Sequence, residues 1–196
     1  MNLEGLSTKV GAFINESVES MQGYSTVEQE YQTKVREGLK GHVEAENQLK
    51  ELHEAFNQAL STAAAGLKEA MQAFGEQELQ RIEESSDPIT ADQLAELTLL
   101  SELELTSGDL DKYAEKYKRN PLALRKLQRI ARERMLMANF PQSREDVLKS
   151  VLGRLDTQVN QFSTLKTGEV ELLKQKFRAD GAIEGIQDDA RYYKSL

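Results

Sequence analysis

The sequence predicts an all-α protein, an elongated antiparallel arm of two long helices joined to a small helical head. Three observations carry this expectation. First, apolar residues recur at steps of three and four from Leu49 through Leu52, Phe56, Leu60, Ala63, Leu67, Met71 and Phe74 to Ile82, with only Glu78 out of pattern. That spacing places side chains on one face of a helix. Second, Leu148, Val151, Leu155, Val159, Phe162, Val170, Leu173 and Phe177 form another stripe with the same eleven-residue repeat, at 148, 159 and 170. Eleven residues in three turns is about 3.67 per turn, so two such stripes pack nearly straight or drift weakly right-handed. Third, no stretch alternates convincingly with a period of two, and no β-strand is expected.

Taken in order, Leu3, Leu6, Val10, Phe13, Ile14, Val18 and Met21 predict a first helix over 2–22, with Gly23 as its stop. Ser25-Thr26-Val27-Glu28 has the spacing of a capping box and predicts the start of a second helix. Val27, Tyr31, Val35, Leu39 and Val43 lead that helix into the eleven-residue register, and no Pro interrupts it before Glu84. Gly38 and Gly41, where the register shifts, mark the place for a kink. Ala63-Ala64-Ala65-Gly66 suggests a close helix approach, and Ser85-Ser86-Asp87-Pro88 ends the helix.

Shorter helices follow. Thr90-Ala91-Asp92-Gln93 is a capping box opening a helix to about Glu104, with Leu94, Leu97, Leu100 and Leu103 inward. Thr106-Ser107-Gly108-Asp109 caps the next, with Leu110, Tyr113, Ala114 and Tyr117 on its apolar side. Asn120-Pro121 supplies an N-cap and a first-turn Pro for a helix carrying Leu122, Leu124, Leu127, Ile130, Ala131 and Met135. Phe140-Pro141-Gln142 closes this head, Ser143 opens the second long helix, and Asp180-Gly181 ends it before a short tail, 182–196, with room for one or two further turns of helix. The expected domains are therefore 1–86 (first helix and long arm helix), 87–142 (head) and 143–196 (second arm helix and tail). The arm is expected to be packed by Leu49, Leu52, Phe56, Leu60, Leu67, Met71 and Phe74 against Leu148, Val151, Leu155, Val159, Phe162, Val170 and Leu173.

Composition narrows the chemistry. Of 196 residues, 39% are apolar and 30% charged, a balance suited to a body with much surface for its core. The regular spacing of the apolar residues argues against disorder. Absence of Cys excludes a disulfide scaffold, an iron–sulfur cluster, a thiolate zinc site and a cysteine nucleophile. No leader pattern and no apolar run of about 20 residues is present, so a soluble, cytoplasmic protein is expected.

His42, Glu46 and His53 lie near one helical face and include both histidines, but paired Glu-x-x-His motifs are missing. They read as solvated side chains. Nucleophile-elbow, phosphate-loop and dinucleotide motifs are absent. Asp109/Asp111 and Asp188/Asp189 resemble metal ligands superficially, and Asp109 is explained as first-turn charge against a helix dipole. No catalytic residue, metal ligand or cofactor is assigned, and no enzyme is expected.

Charge is uneven. Residues 1–111 carry 7 Lys+Arg against 22 Asp+Glu, residues 112–134 carry 9 against 2, and residues 135–196 carry 9 of each. The basic island comprises Lys112, Lys116, Lys118, Arg119, Arg125, Lys126, Arg129, Arg132 and Arg134. Two short helices around a tight Asn-Pro turn have the outline of a helix–turn–helix, and such a stripe can neutralise phosphates. A solvated basic face, paired with the chain's own acidic excess or with a protein partner, is the reading preferred over nucleic-acid contact through Lys116, Lys118, Arg119, Arg125, Lys126, Arg129 and Arg132.

The run Leu99 to Arg134 (LLSELELTSGDLDKYAEKYKRNPLALRKLQRIARER) resembles segments of small helical proteins encoded by bacteriophages and prophages of Gram-positive bacteria. The shared elements are Leu-Thr before an acidic helix start, Tyr-Ala-Glu-Lys-Tyr-Lys, and Asn-Pro-Leu-Ala-Leu-Arg followed by Ile-Ala. This resemblance covers under a fifth of the chain and implies a phage structural, assembly or host-interaction role, in the host cytoplasm or the virion. The expected function is thus non-enzymatic protein–protein interaction, scaffold-like and oligomeric. A phage regulator or anti-defence protein binding a host protein, and a nucleic-acid-binding module using the head, are the alternatives.

Overall fold

The computed structural model describes residues 2–85 and 88–195. The fold is all-α: α1 (Leu3–Arg36), α2 (His42–Ser85), α3 (Ala91–Leu99), α4 (Ser107–Lys116), α5 (Pro121–Glu133), α6 (Arg144–Phe162) and α7 (Glu169–Ser195), with no strand among the described residues. The chain divides into two compact units, Met1–Gly75 with Ser150–Leu196, and Glu76–Lys149. The divisions fall inside α2 and α6, not at 86/87 and 142/143.

In the first unit, α1 runs through the expected stop at Gly23 and the expected capping box. Thr26 donates its hydroxyl to the Gln22 carbonyl, a bond made inside a helix and not at its start. Burial of Met21 and Tyr24 on either side of Gly23 offsets that glycine's helix cost of about 1 kcal/mol. The real boundary is Gly38, whose φ of 71° is the left-handed conformation glycine adopts freely. Gly38 N–H donates to Val35 O at 3.1 Å and Leu39 N–H to Lys34 O at 2.9 Å, the paired bonds of a Schellman stop. What sequence spacing marks as a kink is a full break. Past it α2 returns beside α1, with the Tyr24 and His53 rings edge-on at 5.5 Å.

α2 and α6 run antiparallel. Lys68 Nζ donates to Asn160 Oδ1 at 2.6 Å, and a Cβ on Gly75 would stand 2.9 Å from Leu152 Cδ1. The buried members of the interface include Leu60, Met71, Phe74, Val151, Leu155, Val159 and Phe162. Ala64, not Ala63, is the buried alanine of the small-residue run.

The second long helix is not continuous. It breaks between Phe162 and Glu169, where Ser163 turns its hydroxyl onto the Asn160 carbonyl at 2.9 Å. Asn57 Oδ1 accepts the Leu165 N–H at 2.7 Å, and Gly168 has φ of 100°. A side chain from α2 thus takes over a backbone donor that a continuing helix would have used internally. α7 then lies antiparallel on α1, with Lys194 Nζ 3.0 Å from Glu4 and Ile183 beside Gly11. Asp180-Gly181 does not stop it, and the expected tail is helix, its Ile186, Ala190 and Tyr193 buried with Ala179. Ser17 Oγ ties α1 to the Phe162 carbonyl at 2.7 Å, and Arg154 meets Asp189 at 3.0 Å.

In the second unit, α3, α4 and α5 enclose Leu97, Leu100, Leu110, Tyr117, Ala123, Leu127 and Ile130. Both expected capping boxes form, Thr90 with Gln93 and Thr106 with Asp109, and Asn120 caps α5 with Pro121 in its first turn. Three details differ from expectation. α3 ends at Leu99 and so does not carry Leu103, which is exposed, as is Leu94 within the helix. Leu122 is exposed and Ala123 takes the core position. Met135 is 92% exposed because it sits at φ 54°, the left-handed position of a second Schellman stop closed by Leu136 N–H to Ala131 O at 2.9 Å. Of the terminator Ser85-Ser86-Asp87-Pro88, Ser86 and Asp87 lie outside the described residues. Glu78, out of pattern in sequence, is buried with Arg81 at 3.3 Å and Arg144 at 3.5 Å.

Candidate functional site

The basic island is the first candidate, and folding engages more than half of it internally. Lys116 Nζ donates to both Glu96 oxygens at 2.6 and 2.7 Å, and Tyr117 Oη donates to Glu96 Oε2 at 2.5 Å. These bonds, that from Lys116 first, hold the Glu96 carboxyl below its usual range and raise the Lys116 ammonium. Burial pushes the Tyr117 phenol up. Arg125 reaches Glu145 across α5 and α6 at 2.9 Å. Glu145 also takes Lys149 at 2.6 Å, and Lys149, ahead of Arg125, lowers its carboxyl. Arg129 pairs with Glu133 at 2.7 Å, Lys118 with Glu115.

Arg134 works as a strut, its guanidinium donating to the carbonyls of Leu103 and Ser101, the latter at 2.5 Å. The side chains of Lys112, Arg119, Lys126 and Arg132 make no hydrogen bond or close ion pair among the described residues, although Lys112 and Lys126 help to lower the Asp109 and Glu133 carboxyls from a distance. On α5, Lys126 and Arg132 are six residues apart, about 120° around the helix, so the uncommitted cations form no single stripe.

Two apolar grooves flank α5. One of about 500 Å³ is lined by Leu79, Ile82, Ile89, Pro121 and Leu122 together with Arg125 and Glu145. The other, about 460 Å³, lies among Ala131, Arg132, Met135, Leu136, Met137 and Phe140.

The histidines separate chemically. His42 Nδ1 lies 3.4 Å from Glu46 on an exposed turn of α2. His53 packs on Tyr24 and shares a hydrogen bond with Asn57 Nδ2 at 3.1 Å. Asn57 spends its other end on Leu165, so His53 belongs to the packing between α1, α2 and the α6–α7 link. Among the described residues no group of three His, Cys, Asp or Glu side chains could hold a metal ion, and no helix is long and apolar enough to cross a membrane.

The arm-packing residues divide into three groups. Leu60, Met71, Phe74, Leu148, Val151, Leu155, Val159 and Phe162 are buried. Leu49, Leu52, Phe56 and Leu67 are half-buried. Val170 and Leu173 are each 67% exposed, and Phe177, next on their face, is 87% exposed. At 100° per residue these three fall within about 60° of one another on α7, opposite Ala179, Ile186, Ala190 and Tyr193.

α7 is therefore a two-sided helix, one apolar side seated on α1 and the other bare. Sequence reasoning missed the seated side by ending the helix at Gly181, although the 179-186-190-193 spacing was there to find it. A further half-covered region is 25–59 around the α1–α2 turn, where Ala45 is the one buried residue and Leu39 and Val43 are exposed. No protein-family model, curated protein or solved structure matches the chain.

Proposed function

We propose that this chain is a non-enzymatic helical interaction protein, of the phage structural or assembly kind, that works as an oligomer. The observation that carries the reading is the bare apolar side of α7, Val170, Leu173 and Phe177. Large apolar side chains grouped on one face of a packed helix are the usual mark of an interaction site. The half-covered α1–α2 turn supports it, and the resemblance over Leu99–Arg134 supplies the phage context. Size exclusion coupled to light scattering tests the reading: a discrete oligomer unaffected by a nonspecific DNA duplex is expected, and a monomer at every concentration would count against it.

A second reading has its own observation, the uncommitted Lys112, Arg119, Lys126 and Arg132. Nucleic-acid binding through them would weaken steeply with salt and fall when all four are replaced by Gln. No mobility shift at low salt removes it.

A further inference from the structure

The bare side of α7 and the half-buried stripe at the start of α2 have matching spacing and opposite charge. We propose that they are the two halves of one interface, the α7 side of one copy of the chain taking the Leu49–Leu52–Phe56 stripe of a second copy in antiparallel register. The proposal rests on the interaction reading above and names its partner.

Register is the first argument. Within the chain Lys68 meets Asn160 and Gly75 meets Leu152, so each step along α2 is matched by one step back along α6. Continued past Phe162, that count sets Phe56, Leu52 and Leu49 within one to three residues of Val170, Leu173 and Phe177. The α7 side is thus the continuation, by its eleven-residue repeat, of a stripe that already fits α2. The break at Ser163–Gly168 carries it onto α1 instead, which leaves the α7 half exposed and the α2 half only half-buried.

Charge is the second argument. Residues 44–54 carry Glu44, Glu46, Glu51 and Glu54 against Lys50 alone. Residues 166–178 carry Lys166, Lys174, Lys176 and Arg178 against Glu169 and Glu171. Opposite fields of this kind favour one orientation and disfavour like-with-like pairing of either half. Each copy has one half of each kind, so a two-fold pair makes the contact twice and closes on itself.

A chain without Cys makes the test clean. Phe56→Cys and Val170→Cys variants are mixed and mildly oxidised. The expected result is a disulfide-linked dimer in the mixture that neither variant forms alone to the same extent. In the doubly substituted chain, a disulfide closing within a monomer would overturn the proposal in favour of a straightened α6–α7 that covers its own α2. Phe177→Asp, at a position too exposed to matter for folding, is expected to halve the mass in light scattering with its helical signal and melting unchanged. An oligomer indifferent to Phe177→Asp and to the cross-link overturns this interface and leaves the interaction reading standing. A wild-type chain that never self-associates overturns both.

Discussion

Replacing Phe162 by Ala and, separately, Phe177 by Ala tests the break in the second long helix. Both phenylalanines belong to one stripe by sequence spacing, so a continuous helix predicts similar losses. In the structure Phe162 is fully buried at the end of α6, with its carbonyl held by Ser17, whereas Phe177 is 87% exposed. Truncating a buried Phe removes its transfer free energy and leaves a cavity, together about 3–5 kcal/mol. Truncating an exposed one stays within about 0.5 kcal/mol. With a urea slope of about 2 kcal/mol/M, Phe162→Ala moves the unfolding midpoint down by roughly 1.5–2.5 M and Phe177→Ala leaves it in place. Circular dichroism during urea unfolding, at a concentration where the chain is monomeric, reads both. Comparable losses for the two variants would refute the break and restore the uninterrupted helix.

Other outcomes follow from particular residues. Gly38→Ala puts a Cβ into a left-handed position and costs about 1 kcal/mol, while Met135→Gly relieves the same strain at an exposed site and gains about as much, both read by thermal unfolding. Opposite signs are required; equal signs would remove the Schellman assignments. Glu96 titrates below its usual range in the folded chain, so its bonds with Lys116 and Tyr117 contribute fully above the range where an unfolded Glu titrates. That contribution is lost as pH falls through the folded-state value, and Glu96→Gln should flatten this part of the stability-versus-pH curve. Gln175 is fully buried, with its Oε1 lacking a hydrogen-bond partner among the described residues. Gln175→Met removes this orphaned carbonyl but also the Nε2 donor that reaches Glu171 at 3.0 Å, so a net gain of under about 1 kcal/mol is expected, and a loss in chemical denaturation would show that the amide bond outweighs the orphaned oxygen.

Much of the second unit was legible because its signals are local. Thr90, Thr106 and Asn120 cap within three residues of themselves, and no distant contact can reassign such a bond. The candidate surface was legible only in part. Sequence spacing singled out Val170, Leu173 and Phe177 as apolar partners, but it gave no sign that they would be left bare. The basic island was legible as composition, yet its engagement with Glu96, Glu145 and the carbonyls of Ser101 and Leu103 spans twenty to more than thirty residues.

Helical periodicity, a property of each residue and its neighbours three and four away, by itself determined that this chain is all-α and which side chains can share a face. Tertiary structure decided where the long helices stop. At Gly23 the burial of Met21 and Tyr24 outweighs a glycine's entropy. At Ser163–Gly168 the Asn57 side chain, more than a hundred residues distant, captures a backbone donor and a propagating helix ends. Periodicity states which residues need a partner, and only the packed chain decides which of them find one.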